Sequence, residues 1–262
     1  MIWNPSKECM DRDTLHELQS ARLRKIVEHV YYGNEYYRNK MQEVGLEPTD
    51  INGIEDLSKL PFTTYEDLRA TYPFGMRSVP LSQCVRLQSS SGTTGKPKIA
   101  LYTRKDIDIW SEGVARSMAM AGVTSDDIVL VSYGYGLFTG GLGAHYGAEK
   151  LGALVIPMGT GNTKKLIDML IDCKATVICC TPSYLLHIAE ALEESGRINE
   201  ISLRCSINGA EPWSDEMREQ IEKRLGIKAY DIYGLTEISG PGVATDLSLI
   251  HISEPTRPRL IS

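Results

Sequence analysis

The chain has 262 residues, with 28 Lys and Arg against 34 Asp and Glu and a formal net charge of −6. This balance argues against a nucleic-acid-binding protein, because neutralising phosphates needs clustered basic residues. The content of 42% hydrophobic and 24% charged residues is typical of a globular protein and excludes collagen and disordered chains. No apolar run approaches the roughly 20 residues that span a bilayer, so we expect a cytoplasmic protein without membrane partners.

The six cysteines form no CxxC pair and have no histidine at zinc-finger spacing. They are therefore predicted to be reduced thiols, and those in apolar runs are predicted to be core residues.

The first part of the chain, 1–80, is predicted to be a helical and loop-rich N-terminal region. Apolar residues recur at helical spacing over 13–30, and a second short helix is predicted from residue 35 to about 44. Four tyrosines in this part could form a ligand-stacking surface or pack between the two helices. They are Tyr31, Tyr32, Tyr36 and Tyr37.

From residue 81 to 246, short β-branched runs alternate with helical stretches, which predicts an α/β domain. Its mostly parallel strands would be joined by right-handed crossovers, with helices on both sheet faces. The strand candidates are 84–88, 99–102, 128–132, 153–156, 176–180, 203–208 and 229–233. The helix candidates are 105–121, 143–151, 163–173, 183–195 and 214–225, with Thr103, Asn162 or Thr163, Ser183 and Ser214 as capping residues.

The sequence SSSGTTGKPK at 89–98 lies between two strand candidates. Glycines let backbone N–H groups approach an anion, hydroxyls add donors and lysines add positive charge, so the segment suits a polyphosphate. It differs from a Walker A loop, because Pro97 follows Lys96 where that motif has Ser or Thr. The predicted nucleotide-binding residues of this loop are Ser90, Ser91, Gly92, Thr93, Thr94, Gly95 and Lys96.

At this loop the chain resembles the adenylate-forming acyl- and aryl-CoA ligases, and the resemblance extends over 1–246. The segment FTGGLGAHYG at 138–147 resembles the acyl pocket of the phenylacetate–CoA ligase branch. The segment NGAEPW at 208–213 resembles its adenine-contacting turn, and DIYGLTE at 231–237 its adenine and magnesium motif.

The residue chemistry agrees with these roles. Tyr233 offers an aromatic face to a purine, Thr236 a hydroxyl donor for the α-phosphate, and Glu237 a hard oxygen ligand for Mg²⁺. Glu211 and Asp231 could accept from the purine amine or cap a helix. The further predicted nucleotide-binding residues are Gly209, Ala210, Pro212 and Gly234, and the predicted catalytic residues are Lys96, Thr236 and Glu237.

Glycines mixed with aromatic residues over 133–146 would leave room for a flat apolar acid. Core packing around a tight turn is the alternative. The candidates for the aryl pocket are Tyr135, Phe138, Gly140, Gly141, Ala144 and His145, of which His145 would gate or line the pocket or merely be hydrogen-bonded.

The resemblance implies ATP-dependent conversion of an aryl acetic acid, phenylacetate above all, to an acyl adenylate and then to its coenzyme A thioester. It also implies Mg²⁺ and a homodimer. Family members continue with a ribose-binding aspartate and a small domain bearing a lysine, which have no counterpart here, so we expect this chain alone to be inactive. The alternatives are a catalytically silent nucleotide-binding fragment and an adenylyl transferase that hands AMP to a deazaflavin. The segment 247–262 lacks amphipathic periodicity and is predicted to be a non-native, disordered tail, with a genuine linker as the alternative.

Overall fold

The computed structural model describes residues 2–90 and 96–246. Residues 91–95, which belong to the predicted phosphate loop, and the predicted tail 247–262 lie outside this part of the chain. The chain is divided into two compact units, one of residues 4–106 and one that begins at residue 107. The hairpin of the first two strands therefore groups with the N-terminal helices.

The first unit is built on two consecutive helices that share a small apolar core. Both helices begin at side-chain caps, Asp11 accepting from the N–H of Thr14 and Asn34 from that of Tyr37. Tyr31 is buried in the core beside Met41, as helix packing requires, while the ring of Tyr32 is exposed. The helices of this unit are α1 (Pro5–Glu8), α2 (Arg12–Gly33), α3 (Glu35–Glu43) and α4 (Tyr65–Ala70).

The strands of the first unit are β1 (Cys84–Ser89) and β2 (Ile99–Thr103), which form a separate antiparallel pair. Their antiparallel pairing differs from the parallel arrangement predicted for most of the strands. A parallel crossover needs a dozen or more residues, whereas the segment between β1 and β2 is shorter than that.

The second unit contains a sheet in the order β4-β3-β5-β6-β7-β8, in which the first five strands are parallel and β8 is antiparallel to β7. This confirms the predicted α/β class with a mostly parallel sheet. The strands are β3 (Ile128–Val131), β4 (Leu154–Ile156), β5 (Val177–Cys180), β6 (Cys205–Asn208), β7 (Lys228–Leu235) and β8 (Gly240–Thr245). The helices are α5 (Arg104–Met120), α6 (Thr139–Leu151), α7 (Thr163–Asp172), α8 (Pro182–Glu194) and α9 (Asp215–Leu225).

Helices cover both faces of this sheet, as predicted. On one face α7, α8 and α9 pack on Leu130, Ile178 and Ala229 in a continuous apolar core. The opposite face carries α5 and α6. Cys179, Cys180 and Cys205 are buried free thiols, in agreement with the sequence. Within the described residues, none of the helices is long and apolar enough to cross a membrane.

Three local features differ from expectation. Helix α6 begins at Thr139, four residues before the predicted start, and so takes in Gly140 and Gly141. Strand β8 is absent from the predicted strands. Ser183 does not cap α8, whose N-cap residue is Thr181; the backbone N–H of Ser183 instead donates to Glu211 Oε1 at 2.7 Å.

Candidate functional site: an apolar cavity beyond the strand ends

An apolar cavity lies where the carboxyl ends of β5, β6 and β7 approach α5 and α6. Its space measures about 480 Å³, including the part continuous with solvent. Tyr133 closes one side, and its buried hydroxyl donates to the carbonyl oxygen of Cys180 at 2.8 Å. The lining residues are Val114, Met118, Tyr133, Phe138, Thr139, Gly140, Ala144, Cys179, Ile207, Ala210, Ile232, Gly234 and Pro241.

Three of the predicted pocket residues, Phe138, Gly140 and Ala144, line this cavity. Gly141 lies behind it, where a Cβ would stand 2.4 Å from the carbonyl oxygen of Gly134. Glycine at this position therefore lets the first turn of α6 pack on the segment that follows β3. Gly141, predicted as a residue of the aryl pocket, thus matches the alternative of close packing, whereas Gly140 lines the cavity.

Tyr135 and His145 are not among the lining residues and form a polar chain of their own. Tyr135 Oη lies 3.3 Å from His145 Nδ1, and His145 Nε2 lies 3.0 Å from Glu149 Oε1. Burial raises the pKa of the Tyr135 hydroxyl. Of the alternatives for His145, the geometry matches the hydrogen-bonded one.

The predicted adenine turn begins where β6 ends, and one of its residues reaches the cavity. Ala210 lines it with a φ of +72°, in the left-handed region that non-glycine residues rarely adopt. A Cβ on Gly209 would lie 2.5 Å from the carbonyl oxygen of Ile232, so β7 passes directly beside the turn. Pro212 is exposed.

The two acidic candidates near this turn already accept hydrogen bonds. Glu211 accepts from the first turn of α8, which matches its predicted alternative as a helix cap. Asp231 Oδ1 accepts from Trp213 Nε1 at 3.2 Å. Burial raises the pKa of Asp231, while the bond from Trp213 lowers it in part.

The residues of the predicted magnesium motif follow at the end of β7. The ring of Tyr233 is half-exposed, Thr236 is buried, and the carboxylate of Glu237 is exposed. Within residues 2–90 and 96–246, no three His, Cys, Asp or Glu side chains gather as a metal cluster. Because Mg²⁺ is usually held by one or two carboxylates together with substrate phosphates, Glu237 alone suits such an ion.

Only the flanks of the phosphate loop belong to the described residues. Ser90 closes the loop base, since its N–H donates to the carbonyl oxygen of Lys98 at 3.0 Å and its Oγ accepts from the N–H of Lys98 at 2.9 Å. The ammonium of Lys96 lies 5.0 Å from the ring centroid of Tyr72. Ser91, Gly92, Thr93, Thr94 and Gly95 fall outside the described residues.

Several lining residues are not found from the sequence. Val114 and Met118 occupy one face of α5 at a spacing of four, a pattern that any core-facing helix displays. Pro241 lies on β8, and its Gly-Pro-Gly context is the one signal that could mark it.

An apolar cavity beyond the carboxyl ends of a parallel sheet is the usual position of the ligand site in α/β domains, so the fold and the cavity place this unit in that class. The chain belongs to the AMP-binding enzyme family, whose model matches residues 13–259.

Two curated relatives are similar to this chain over most of its length. The chain is 52% identical over 235 residues to a phenylacetate-coenzyme A ligase of Pseudomonas putida, covering 89% of this chain and 54% of that protein. It is 44% identical over 247 residues to a phenylacetate-coenzyme A ligase of Thermus thermophilus, covering 94% of this chain and 56% of that protein. The chain thus spans about half the length of these curated relatives.

Among solved structures, the fold is similar to a 2-hydroxyisobutyryl-CoA ligase in complex with 2-HIB-AMP and CoA. The TM-score is 0.87 at 29% identity, over 93% of this chain and 54% of that one.

Proposed function

We propose that this chain is the acid- and nucleotide-binding part of an acid–thiol ligase that activates an aryl acetic acid, phenylacetate above all. ATP and coenzyme A are its co-substrates. The observation that carries the proposal is the lining of the cavity. Residues of the acyl-pocket segment (Phe138, Gly140, Ala144), of the adenine turn (Ala210) and of the magnesium motif (Gly234) bound one continuous space. An acyl adenylate needs such a space, because its acyl group and its nucleotide are joined through one phosphate.

The reaction has two halves. The carboxylate attacks the α-phosphorus of ATP and pyrophosphate leaves; the thiol of coenzyme A then attacks the acyl carbon and AMP leaves. Neither half needs a covalent bond to the protein, so positioning and charge neutralisation carry the catalysis.

Each part of the site has one role in binding the substrates. The cavity holds the aryl ring away from water, and Tyr233 stacks on the adenine. The Thr236 hydroxyl donates to the α-phosphate. Glu237 would hold Mg²⁺, which neutralises phosphate charge when bound. Lys96 and the hydroxyl-rich loop before it bind the outer phosphates.

The aromatic preference rests on the apolar lining. Val114, Met118, Ile207 and Ile232 offer a phenyl ring no hydrogen-bond partner, whereas they bury its surface. Burying a side chain of that size stabilises by about 1.5–3 kcal/mol, which is about 10- to 150-fold in Kd.

The proposal is tested by isothermal titration of the 262-residue chain with two non-hydrolysable adenylates, phenylacetyl-sulfamoyl adenosine and its acetyl counterpart. We expect the phenylacetyl compound to bind at least about tenfold more tightly. Equal affinity for the two compounds would contradict an aryl pocket, and binding of neither would contradict adenylate binding by this chain. If a chain extended to the relatives' length preferred a free deazaflavin over coenzyme A as its acceptor, the transferase alternative would be favoured.

We further propose that the protein works as a homodimer in the cytoplasm, without nucleic-acid or membrane partners. The supporting observations are the acidic net charge and the aromatic residues of the N-terminal helices. Sedimentation at micromolar concentration tests the dimer, which a monomeric mass would exclude.

A further inference from the structure

Trp110 occupies the same face of α5 as two residues of the cavity wall. Val114 and Met118 follow it at spacings of four and eight, so the three side chains form one stripe along the helix. Val114 and Met118 line the cavity, whereas Trp110 does not. Trp110 is only 4% exposed. The stripe therefore extends beyond the cavity to Trp110, which is buried against other parts of the protein.

One of the contacts of Trp110 is with β8. The indole Nε1 of Trp110 donates to the carbonyl oxygen of Pro241 at 2.9 Å. Pro241 is itself part of the cavity wall and faces Gly234 of β7 in the strand register. Because proline has no N–H, its carbonyl is the backbone group of Pro241 that can form a hydrogen bond. The bond from Trp110 thus anchors the backbone of β8 through that carbonyl.

The packing around this bond is close enough to exclude side chains at two neighbouring positions. A Cβ on Gly143 of α6 would lie 2.7 Å from Pro241 Cγ and 2.7 Å from Trp110 Cζ2. A Cβ on Gly240 would lie 3.0 Å from Trp110 Cζ2. The indole ring, the proline ring and the backbone of α6 meet at glycine positions, so the location of the indole determines the location of the proline.

We propose that Trp110 is a positioning residue that sets the width of the aryl pocket by holding Pro241 in its wall. The proposal rests on the proposed function of the cavity. Removing the indole N–H leaves a partly buried carbonyl without its donor, and outward movement of β8 lets water reach it. The wall then recedes from the ring of a phenyl ligand and admits a larger ring. The expected result is a change of selectivity between acyl groups rather than a uniform loss of binding.

The test uses the 262-residue chain and three sulfamoyl adenosines that carry acetyl, phenylacetyl or 1-naphthylacetyl groups, titrated calorimetrically. In Trp110→Phe we expect the preference for phenylacetyl over naphthylacetyl to fall by about fivefold, while the acetyl compound keeps its Kd within about twofold. Retained acetyl binding also demonstrates that the variant is folded. Ser111→Ala is the matched control, because Ser111 is a buried donor on the same helix whose Oγ bonds within it, to the carbonyl oxygen of Ile107. It should leave all three affinities unchanged.

A second variant separates positioning from general destabilisation. In the Pro241→Ala background the proline ring is already absent, so Trp110→Phe should no longer alter the phenylacetyl to naphthylacetyl ratio. The same shift in both backgrounds, or an equal loss for all three ligands, would overturn the proposal. If the wild-type chain does not distinguish phenylacetyl from acetyl, the proposed function fails first, and this inference fails with it. If wild type distinguishes them and Trp110→Phe changes no ratio, only this inference fails.

Discussion

Gly234 of β7 and Gly240 of β8 approach so closely that a Cβ on Gly234 would lie 1.9 Å from the carbonyl oxygen of Gly240. The register of the two strands shifts between Tyr233 and Gly234. Just past this shift, Gly234 and its register partner Pro241 both line the cavity. The pairing of β7 and β8 at the site therefore depends on the absence of a side chain.

The first prediction concerns the close contact between Gly234 and Gly240. Gly234→Ala forces β7 and β8 apart, and we expect a loss of about 1–3 kcal/mol in the free energy of unfolding, measured with urea. Binding of phenylacetyl-sulfamoyl adenosine should weaken as well, because the wall moves with the strand. Gly136→Ala is the control, since a Cβ there meets nothing within 4 Å. An unchanged urea midpoint in Gly234→Ala would contradict the close approach.

The second prediction concerns an ion pair at the opposite end of the strands, between the buried Asp127 and Arg204, whose side chain is 41% exposed. Asp127 is 5% exposed, accepts from Arg204 Nε and Thr176 Oγ1 at 2.8 and 2.7 Å, and forms an ion pair with Arg204. Burial raises its pKa, but the bonds from Arg204, from the N–H of Thr124 and from Thr176 outweigh burial and lower the pKa to about 2. The native carboxylate therefore binds protons less readily than the unfolded one, whose pKa is 3.8.

The ionised Asp127 therefore stabilises the folded chain more at neutral pH than in acid. The contribution of Asp127 is complete above the unfolded pKa near 3.8 and is lost as pH falls through about 2. At about 1.36 kcal/mol per pKa unit it amounts to about 2 kcal/mol. Asp127→Asn should thus lower the free energy of unfolding by about 2 kcal/mol or more at pH 7, and the difference from wild type should shrink between pH 4 and pH 2. Asp126→Asn, at an exposed neighbour, should match wild type. A difference independent of pH would argue against a lowered pKa.

The secondary structure of the second unit could be predicted because its central parallel strands, β3, β5 and β6, are buried on both faces and read as short apolar runs. Strand β8 has no such pattern. Its Gly-Pro-Gly start packs on α5, where a Cβ on Gly240 would lie 3.0 Å from Trp110 Cζ2 and one on Gly242 2.8 Å from Val114 Cγ2. Residue propensities do not record such tertiary contacts. Likewise, α6 includes Gly140 and Gly141 although glycine disfavours helices, because backbone contact with Gly134 requires a missing side chain there.

Some residues of the site could be predicted from the sequence and others could not, because the position of the cavity depends on tertiary packing. Phe138, Ala144 and Ala210 lie in segments whose composition is unusual, and the structure brings them to one cavity. Cys179 and Ile207 have side chains that any buried strand could carry, so their presence at the wall depends on where the cavity opens. Tyr135 and His145 have the chemistry of a binding site, yet their side chains bond to each other instead of lining the cavity.

The third prediction concerns a substitution that fills the cavity. Ala144 is 5% exposed on α6 and lines the space where the aryl ring is proposed to bind. Ala144→Leu adds methyl groups to that space, so phenylacetyl-sulfamoyl adenosine should bind at least about tenfold more weakly, while the acetyl compound keeps its affinity. Ala244→Leu adds the same bulk at an exposed position of β8 and serves as the control. Equal weakening of both ligands in Ala144→Leu would indicate a general disturbance rather than a blocked ring site.

The fourth prediction concerns the lysine that flanks the phosphate loop. The Lys96 ammonium lies over the ring of Tyr72 at 5.0 Å, a contact that holds the charge beside the loop base formed by Ser90 and Lys98. If Lys96 binds the outer phosphates, Lys96→Ala should weaken ATP binding by about tenfold and leave AMP binding unchanged. The loss should diminish at 0.5 M salt, because screening weakens charge pairing in wild type. Lys25→Ala, an exposed lysine of α2, controls for net charge. Equal weakening of ATP and AMP would assign Lys96 to the nucleoside or to folding instead of the outer phosphates.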